Sequence, residues 1–225
     1  LELVHRGGAT AALVSDGEAG VRHAERPEDA LRQHVRERLA RDPRHRDAEH
    51  VGAVWSADGT EVLAIRVDPG ARTDLRNPIV AIRADGGDER EVLGIDANLS
   101  VAEIAADAHG VWAIAQDVGE SGIDFVARNA GLFRIVGSTL ERRTEEETID
   151  LSAGHLTLVD DGVLVQDQTR GRVQVLHVGT EGVTRLTRDA TEVTGVGVHG
   201  VRVVVTVQTP TSFGELGIVE PGEDG

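Results

Sequence analysis

Residues 51–93 read VGAVWSADGTEVLAIRVDPGARTDLRNPIVAIRADGGDEREVL. Short β-branched and apolar runs alternate here with turn residues, which is the pattern of strands rather than helices. A first strand covers 51–57, and Asp58-Gly59 supplies a tight hairpin turn. EVLAIRV at 61–67 returns antiparallel, and a longer loop spans 68–77. A third strand at 78–83 turns through Asp85-Gly86-Gly87-Asp88 into a fourth at 89–93. The stretch therefore predicts four antiparallel strands within 43 residues.

The pattern recurs toward the C-terminus. Strands at 101–106 and 111–116 flank His109-Gly110, and 131–136 with 139–143 complete a second unit around an irregular insert. A third unit runs through 155–159, Asp161-Gly162, 163–167, 172–178, Glu181-Gly182 and 183–187. A fourth holds 192–198, His199-Gly200, 201–207 and 215–220. Units beginning near 51, 101, 155 and 193 are spaced as propeller blades are. One such unit is a twisted sheet with two faces to cover, which only a neighbour on each side can do. The expected fold is all-β: a β-propeller of about four four-stranded antiparallel blades over 51–225. A β-sandwich is the alternative. Trp55 and Trp112 are expected to pack between blades.

Residues 1–50 depart from the repeat. Runs at 1–5, 10–14 and 20–23 suit an incomplete blade, and PEDALRQHVRERLAR at 27–41 predicts one short helical insertion. Pro27, Glu28 and Asp29 suit its first turn, and Arg36, Arg38 and Arg41 its last. Leu31, Val35 and Leu39 form a narrow apolar stripe.

Hydrophobic residues make up 40% of the 225, enough for a core and too many for wholesale disorder. Cysteine is absent, which excludes a disulfide framework and a thiol nucleophile. Only five aromatics occur, and 31 valines carry the apolar burden instead. The net charge of −16 repels phosphate backbones and anionic lipid, arguing against nucleic-acid and membrane partners. No apolar run reaches the roughly 18 residues of a membrane span. A cytoplasmic location is expected. With no Met and an opening at Leu1 in mid-pattern, the sequence is expected to be a piece of a longer chain.

Trp55-Ser56-Ala57-Asp58-Gly59, then EVLAIRV, then IVAIRADGGDEREVL, resembles the blade repeat of TolB-like and prolyl oligopeptidase propellers. Ala57 stands where those repeats usually have Pro. VLVQDQTRGRVQVLHVGTEGVTRLT at 163–187, EVTG at 192–195 and VVVTVQTPTSFGELGIVEPGEDG at 203–225 are similar to the last blades of bacterial acylaminoacyl peptidase-like members. The resemblance implies a propeller that caps an α/β-hydrolase domain and restricts which peptides reach its serine. That domain is absent from these residues. The serine of such a domain sits in Gly-x-Ser-x-Gly. Ser15, Ser121, Ser152 and Ser212 have one of the two glycines; Ser56, Ser100 and Ser138 have neither. No catalytic residue is expected in this chain, and the substrate-binding residues are left unassigned. The resemblance equally implies the alternative of a TolB-like module that binds a protein or peptide without catalysis. Exposed blades are expected to self-associate.

His34, His45, Glu49 and His50 crowd one region, but the spacing matches no common zinc motif, and a solvated insert is expected. Glu145-Glu146-Glu147 with Asp150 is expected to be a solvated loop. Asp160-Asp161-Gly162 and the turn at Asp85 and Asp88 are too short for calcium loops and suit hairpins. Arg170-Gly171-Arg172 is a charged turn that could line a propeller mouth. No metal site and no cofactor are expected.

Overall fold

A computed structural model describes residues 48–68, 73–87, 89–187, 192–200 and 202–219. The strands expected at 1–5, 10–14 and 20–23 and the helix expected at 27–41 lie outside the described residues. The chain folds as successive antiparallel meanders. The first contains β1 (Glu49–Trp55), β2 (Glu61–Val67), β3 (Ile79–Arg83) and β4 (Arg90–Leu93). The second contains β5 (Leu99–Asp107), β6 (Gly110–Asp117), β7 (Gly131–Val136) and β8 (Thr139–Arg142). The third contains β9 (Leu151–Val159), β10 (Gly162–Asp167), β11 (Gln174–Gly179) and β12 (Gly182–Arg185). The fourth contains β13 (Glu192–His199), β14 (Arg202–Thr209) and β15 (Ser212–Val219), three strands among the described residues. In every sheet the strand order follows the chain order. The sheets are blades of a β-propeller, with the first strand of each lying against the first strand of the next: β1 on β5, β5 on β9, β9 on β13.

Alternation along the central strands explains why the sheets stack. Side chains of a strand point to opposite faces in turn. On β6, Val111, Ala113 and Ala115 pack with Leu63, Ile65, Ile79 and Ala81 of the first sheet. The intervening Trp112 and Ile114 pack with Val163, Val165, Leu176 and Val178 of the third. On β10 and β11 the remaining parity, Leu164 and Val175, meets Val193, Val203 and Val205 of the fourth. The interior strands are apolar at both parities because both faces are interfaces. Burying one such side chain is worth roughly 1.5–3 kcal/mol.

Two glycines show what the hairpins demand. Gly110 and Gly162 open the second strands of their blades at φ 145° and 154°. A Cβ on either would lie 2.2 Å from a carbonyl oxygen of the third strand, Ile135 O or Val178 O. The His109-Gly110 and Asp161-Gly162 signals thus mark places where only a glycine lets the backbones approach.

The first strand of every blade is irregular. Register shifts interrupt the pairing between Val51 and Val54, Val101 and Glu103, Ser152 and Thr157 (opposite Gln166 and Leu164), and Val193 and Gly195. Bulges bend a strand and re-aim its side chains. At the irregularity in β5, Glu103 reaches the next blade. Its carboxylate accepts hydrogen bonds from three successive N–H groups of β9: Gly154 at 2.6 Å, His155 at 3.1 Å and Leu156 at 3.3 Å. The irregularity in β9, with Gly154 at φ 91°, frees those donors from the sheet and points them at the carboxylate.

Several boundaries differ from the sequence reading. β9 begins at Leu151 rather than 155, because Leu151 and Ile149 complete the apolar interface before the irregularity starts. β15 begins at Ser212 rather than 215, so the turn is confined to Pro210-Thr211. Trp112 packs between blades, but Trp55 does not: it is 43% exposed. The parity explains it, since Val54 is the residue that turns toward the second blade, and Trp55 pairs with Val62 on the other face.

Glu103→Ala removes both acceptor oxygens and strands three donors. The substitution is expected to cost about 2–3 kcal/mol in urea unfolding, with Glu103→Gln losing less because one oxygen remains.

Candidate functional site

The meander divides the molecule into two ends. At one, two-residue hairpins join β5–β6, β7–β8, β9–β10 and β11–β12, and the β1–β2 and β3–β4 turns lie with them. At the other lie the β2–β3, β6–β7 and β10–β11 loops and the connections between blades. Binding residues concentrate on such loops when a rigid scaffold holds them.

The hairpin end holds a cleft of about 660 Å³ between the first two blades. Leu63, Val92, Val111 and Ile135 line it, with Asp58, Glu61, Glu91, Asp107 and Arg90. Three of these acids are committed to structure. Asp58 Oδ1 accepts from Ser56 Oγ at 2.7 Å, Thr60 N at 3.0 Å and Thr60 Oγ1 at 2.9 Å, which shapes the hairpin. Those bonds, the one from Ser56 foremost, hold the Asp58 carboxyl down at about 2. Ser56 Oγ also takes the Glu61 N–H at 2.9 Å, so this hydroxyl closes a turn. Glu61 pairs with Arg90, whose hydrogen bonds hold the Glu61 carboxyl below its usual range. Burial pushes the Asp107 carboxyl up, but bonds from Arg134, the His109 N–H and Trp112 Nε1 outweigh it and hold it low. Arg134 in turn lies over the Trp112 ring, 4.4 Å from its centre.

The loop end has a different character. The irregular insert of the sequence reading is the β6–β7 loop, which exposes Ile123, Phe125 and Val126. It meets the β2–β3 loop through Leu75 N to Gly122 O at 2.8 Å. It meets the connection between the second and third blades through Asn129 Nδ2 to Glu146 O at 2.8 Å. Beside that connection lies a cavity of about 490 Å³ lined by Thr148, Asp167, Thr169, Arg170, Arg172, Gln174 and Arg185.

Asp167 organises this cavity. It is 1% exposed, at the end of β10. Its Oδ1 accepts from Asp150 N at 3.1 Å and Thr169 N at 3.2 Å as well as from Thr169 Oγ1. Its Oδ2 takes Arg185 Nη2 at 3.2 Å, and Arg185 also donates to Gln174 Oε1. The single acid of the cavity is therefore saturated. Arg170 and Arg172 are exposed, and among the described residues their guanidinium groups have neither a hydrogen bond nor an ion pair. Arg170 sits at φ 59°, ψ 36°, a left-handed conformation that costs a side-chain-bearing residue of order 1 kcal/mol.

The other sequence candidates separate. His50 meets Glu89 at 3.1 Å, whose other oxygen takes Arg66. Glu49 is exposed on β1, and His34 and His45 lie outside the described residues. Among the described residues no group of three or more His, Cys, Asp or Glu is placed to hold a metal ion. Glu145, Glu146 and Glu147 are exposed, while Asp150 turns inward to accept the Ala130 N–H at 3.0 Å. Asp85 pairs with Arg83 at 2.6 Å, Asp161 meets His177 Nε2 at 3.0 Å, and Asp88 lies outside the described residues. The sequence reading passed over Ile123, Phe125 and Val126; their signal was apolar residues in a Gly/Ser/Asp-rich loop.

No protein-family model matches the sequence, and no curated protein matches it. The structure does have relatives. An acylaminoacyl peptidase in complex with a peptide chloromethyl ketone superposes with TM-score 0.58 at 12% identity, over 78% of this chain and 26% of that one. One of two prolyl endopeptidases gives 0.56 at 14% identity, over 80% and 26%. TolB from Acinetobacter baumannii gives 0.50 at 14% identity, over 76% and 41%. The propeller fold is shared. At these identities the likeness concerns fold alone, and the chain spans about a quarter of the length of the peptidases it matches. Among the described residues no helix is long and apolar enough to cross a membrane.

Asp58 offers a test of the hairpin chemistry. Its folded pKa lies below the unfolded one, so its contribution to stability is complete above about pH 4 and is lost as the pH falls toward 2. An NMR titration of its carboxyl carbon is expected to have a midpoint near 2, and Asp58→Asn is expected to flatten the stability profile over that window.

Proposed function

We propose that this chain is the non-catalytic propeller part of a serine peptidase resembling acylaminoacyl peptidases, and that it gates peptide access to a hydrolase domain lying outside these residues. The observation that carries the reading is the superposition on the two peptidases over more than three quarters of the chain. The lack of a Gly-x-Ser-x-Gly elbow supports it, since the strained turn needs both glycines. So does the loop end, where apolar side chains and unpaired cations stand exposed on rigid blades, as peptide recognition requires. The sequence carries no cysteine and calls for no oxidising compartment, and cytoplasmic placement is part of the same proposal.

The 225-residue chain is expected to release nothing from acyl-peptide or prolyl-peptide chromogenic substrates. The reading frame beyond Gly225 is expected to encode Gly-x-Ser-x-Gly within some hundreds of residues. Turnover by the chain alone, or a frame without the elbow, would overturn the proposal. The latter result would favour a TolB-like binding module, the reading supported by the TolB superposition.

The fourth sheet supports a further consequence of the propeller reading. Val204 pairs with Ile218 and Thr206 with Leu216, so these side chains share the face turned away from the third blade. Leu216 is 78% and Ile218 68% exposed. Apolar faces of this kind associate. Sedimentation velocity of the chain is expected to show concentration-dependent self-association, and Leu216→Thr with Ile218→Thr is expected to shift it toward monomer.

A further inference from the structure

We infer that the cavity at the loop end of the third blade is a carboxylate-binding site, with Arg170 and Arg172 as its anion-holding pair. The inference rests on the peptide-gating reading and deepens it: the ligand class is a peptide that presents a free carboxylate, at its C-terminus or on an acidic side chain.

Three observations converge. First, the cavity is concave, at about 490 Å³ large enough for the end of a peptide but not for a folded domain. Second, its charge is not self-neutralised. Asp167 is saturated by Arg185, Thr169 and the Asp150 N–H, so the positive charge of Arg170 and Arg172 stays available. A chain of net charge −16 has an excess of acids for its arginines, and most of the described arginines do face one. Among the described residues Arg142 bonds only to backbone carbonyls and Arg202 is also unpaired, but Arg170 and Arg172 are the two unpaired guanidiniums that line one cavity. Third, Arg170 holds a left-handed backbone directly before Gly171, at φ 72°. Glycine would occupy position 170 without strain. The conformation aims a cation where the fold alone has no need of a side chain.

A planar guanidinium fork matches a carboxylate through two parallel N–H···O bonds. Thr148 and Thr169 add hydroxyls to the lining. Ile123, Phe125 and Val126 stand exposed on the β6–β7 loop, which bonds to the connection beside the cavity through Asn129. The chemistry of the cavity itself is that of a site for a small carboxylate, such as the end of a peptide.

The experiment uses the full 225-residue chain at low salt, where charge attraction is least screened. Acetyl-Leu-Ala with a free C-terminus, the same peptide as its C-terminal amide, and inorganic phosphate are titrated in turn by NMR. The free acid is expected to bind at least ten-fold more tightly than the amide, and more tightly than phosphate. Arg170→Gly and Arg172→Gln together are expected to remove that ten-fold preference. Arg170→Gly alone is expected to weaken acid binding while melting no lower than the parent, which separates lost recognition from lost folding. Equal binding of acid and amide, unchanged in the double variant, would overturn the carboxylate site and leave peptide binding standing. Phosphate binding more tightly than the acid would overturn it in favour of a phosphate site. Failure of all three probes to bind would overturn both the site and the peptide reading.

Discussion

A four-stranded meander cannot bury itself. Its interior strands carry apolar side chains at both parities, so each sheet leaves one face bare until a second sheet covers it and a third covers the other. β6 and β7 are the clearest case. Val111, Ala113, Phe133 and Ile135 pack toward the first blade, and Trp112, Ile114 and Leu132 toward the third. The other features of the fold serve this arrangement. The hairpins keep strands adjacent, and the irregular first strands bend where blades converge. The Glu103 carboxylate fastens one first strand to the next where the bulges have taken backbone donors out of the ladder.

The same constraint decided what could be read from the sequence. Hairpins were legible because their chemistry is local: Asp58-Gly59, His109-Gly110 and Asp161-Gly162 each need a backbone that glycine adopts, and each falls where a strand must reverse. Strands with apolar residues at both parities were legible as runs. The first strands were less so. Their irregularities depend on contacts with the neighbouring blade, and β9 was read four residues short because polar Ser152 and glycine at 154 interrupt the run. Trp55 and Trp112 carry the same expectation of a blade interface, whereas parity decides which face a side chain occupies.

The loop end was barely legible. Arg170-Gly171-Arg172 stood out as a charged turn, yet nothing in the sequence says that Asp167, three residues earlier, is consumed by Arg185 from another strand. That pairing is tertiary, and it alone distinguishes an unpaired cation from a neutralised one. The apolar residues of the β6–β7 loop were invisible for a related reason. The segment reads as an irregular insert, and a loop residue counts as exposed only once its neighbours are known.

Charge at the two ends then differs by more than composition. Both clefts are lined by acids and arginines, but the partners are distributed differently. At the hairpin end Asp58, Glu61 and Asp107 spend their lone pairs on turn hydroxyls, backbone N–H groups and arginines. At the loop end the acid is buried and saturated while two arginines remain exposed, so a local positive field survives within a molecule of −16. The overall charge acts at long range and is screened beyond about 8–10 Å at physiological salt. Within hydrogen-bonding distance the local pair dominates. An anion is therefore discouraged from approaching most of this surface and held only where the cations are left unpaired. A net charge that argued against phosphate backbones and acidic lipid as partners is in this way compatible with a small anionic ligand at one loop.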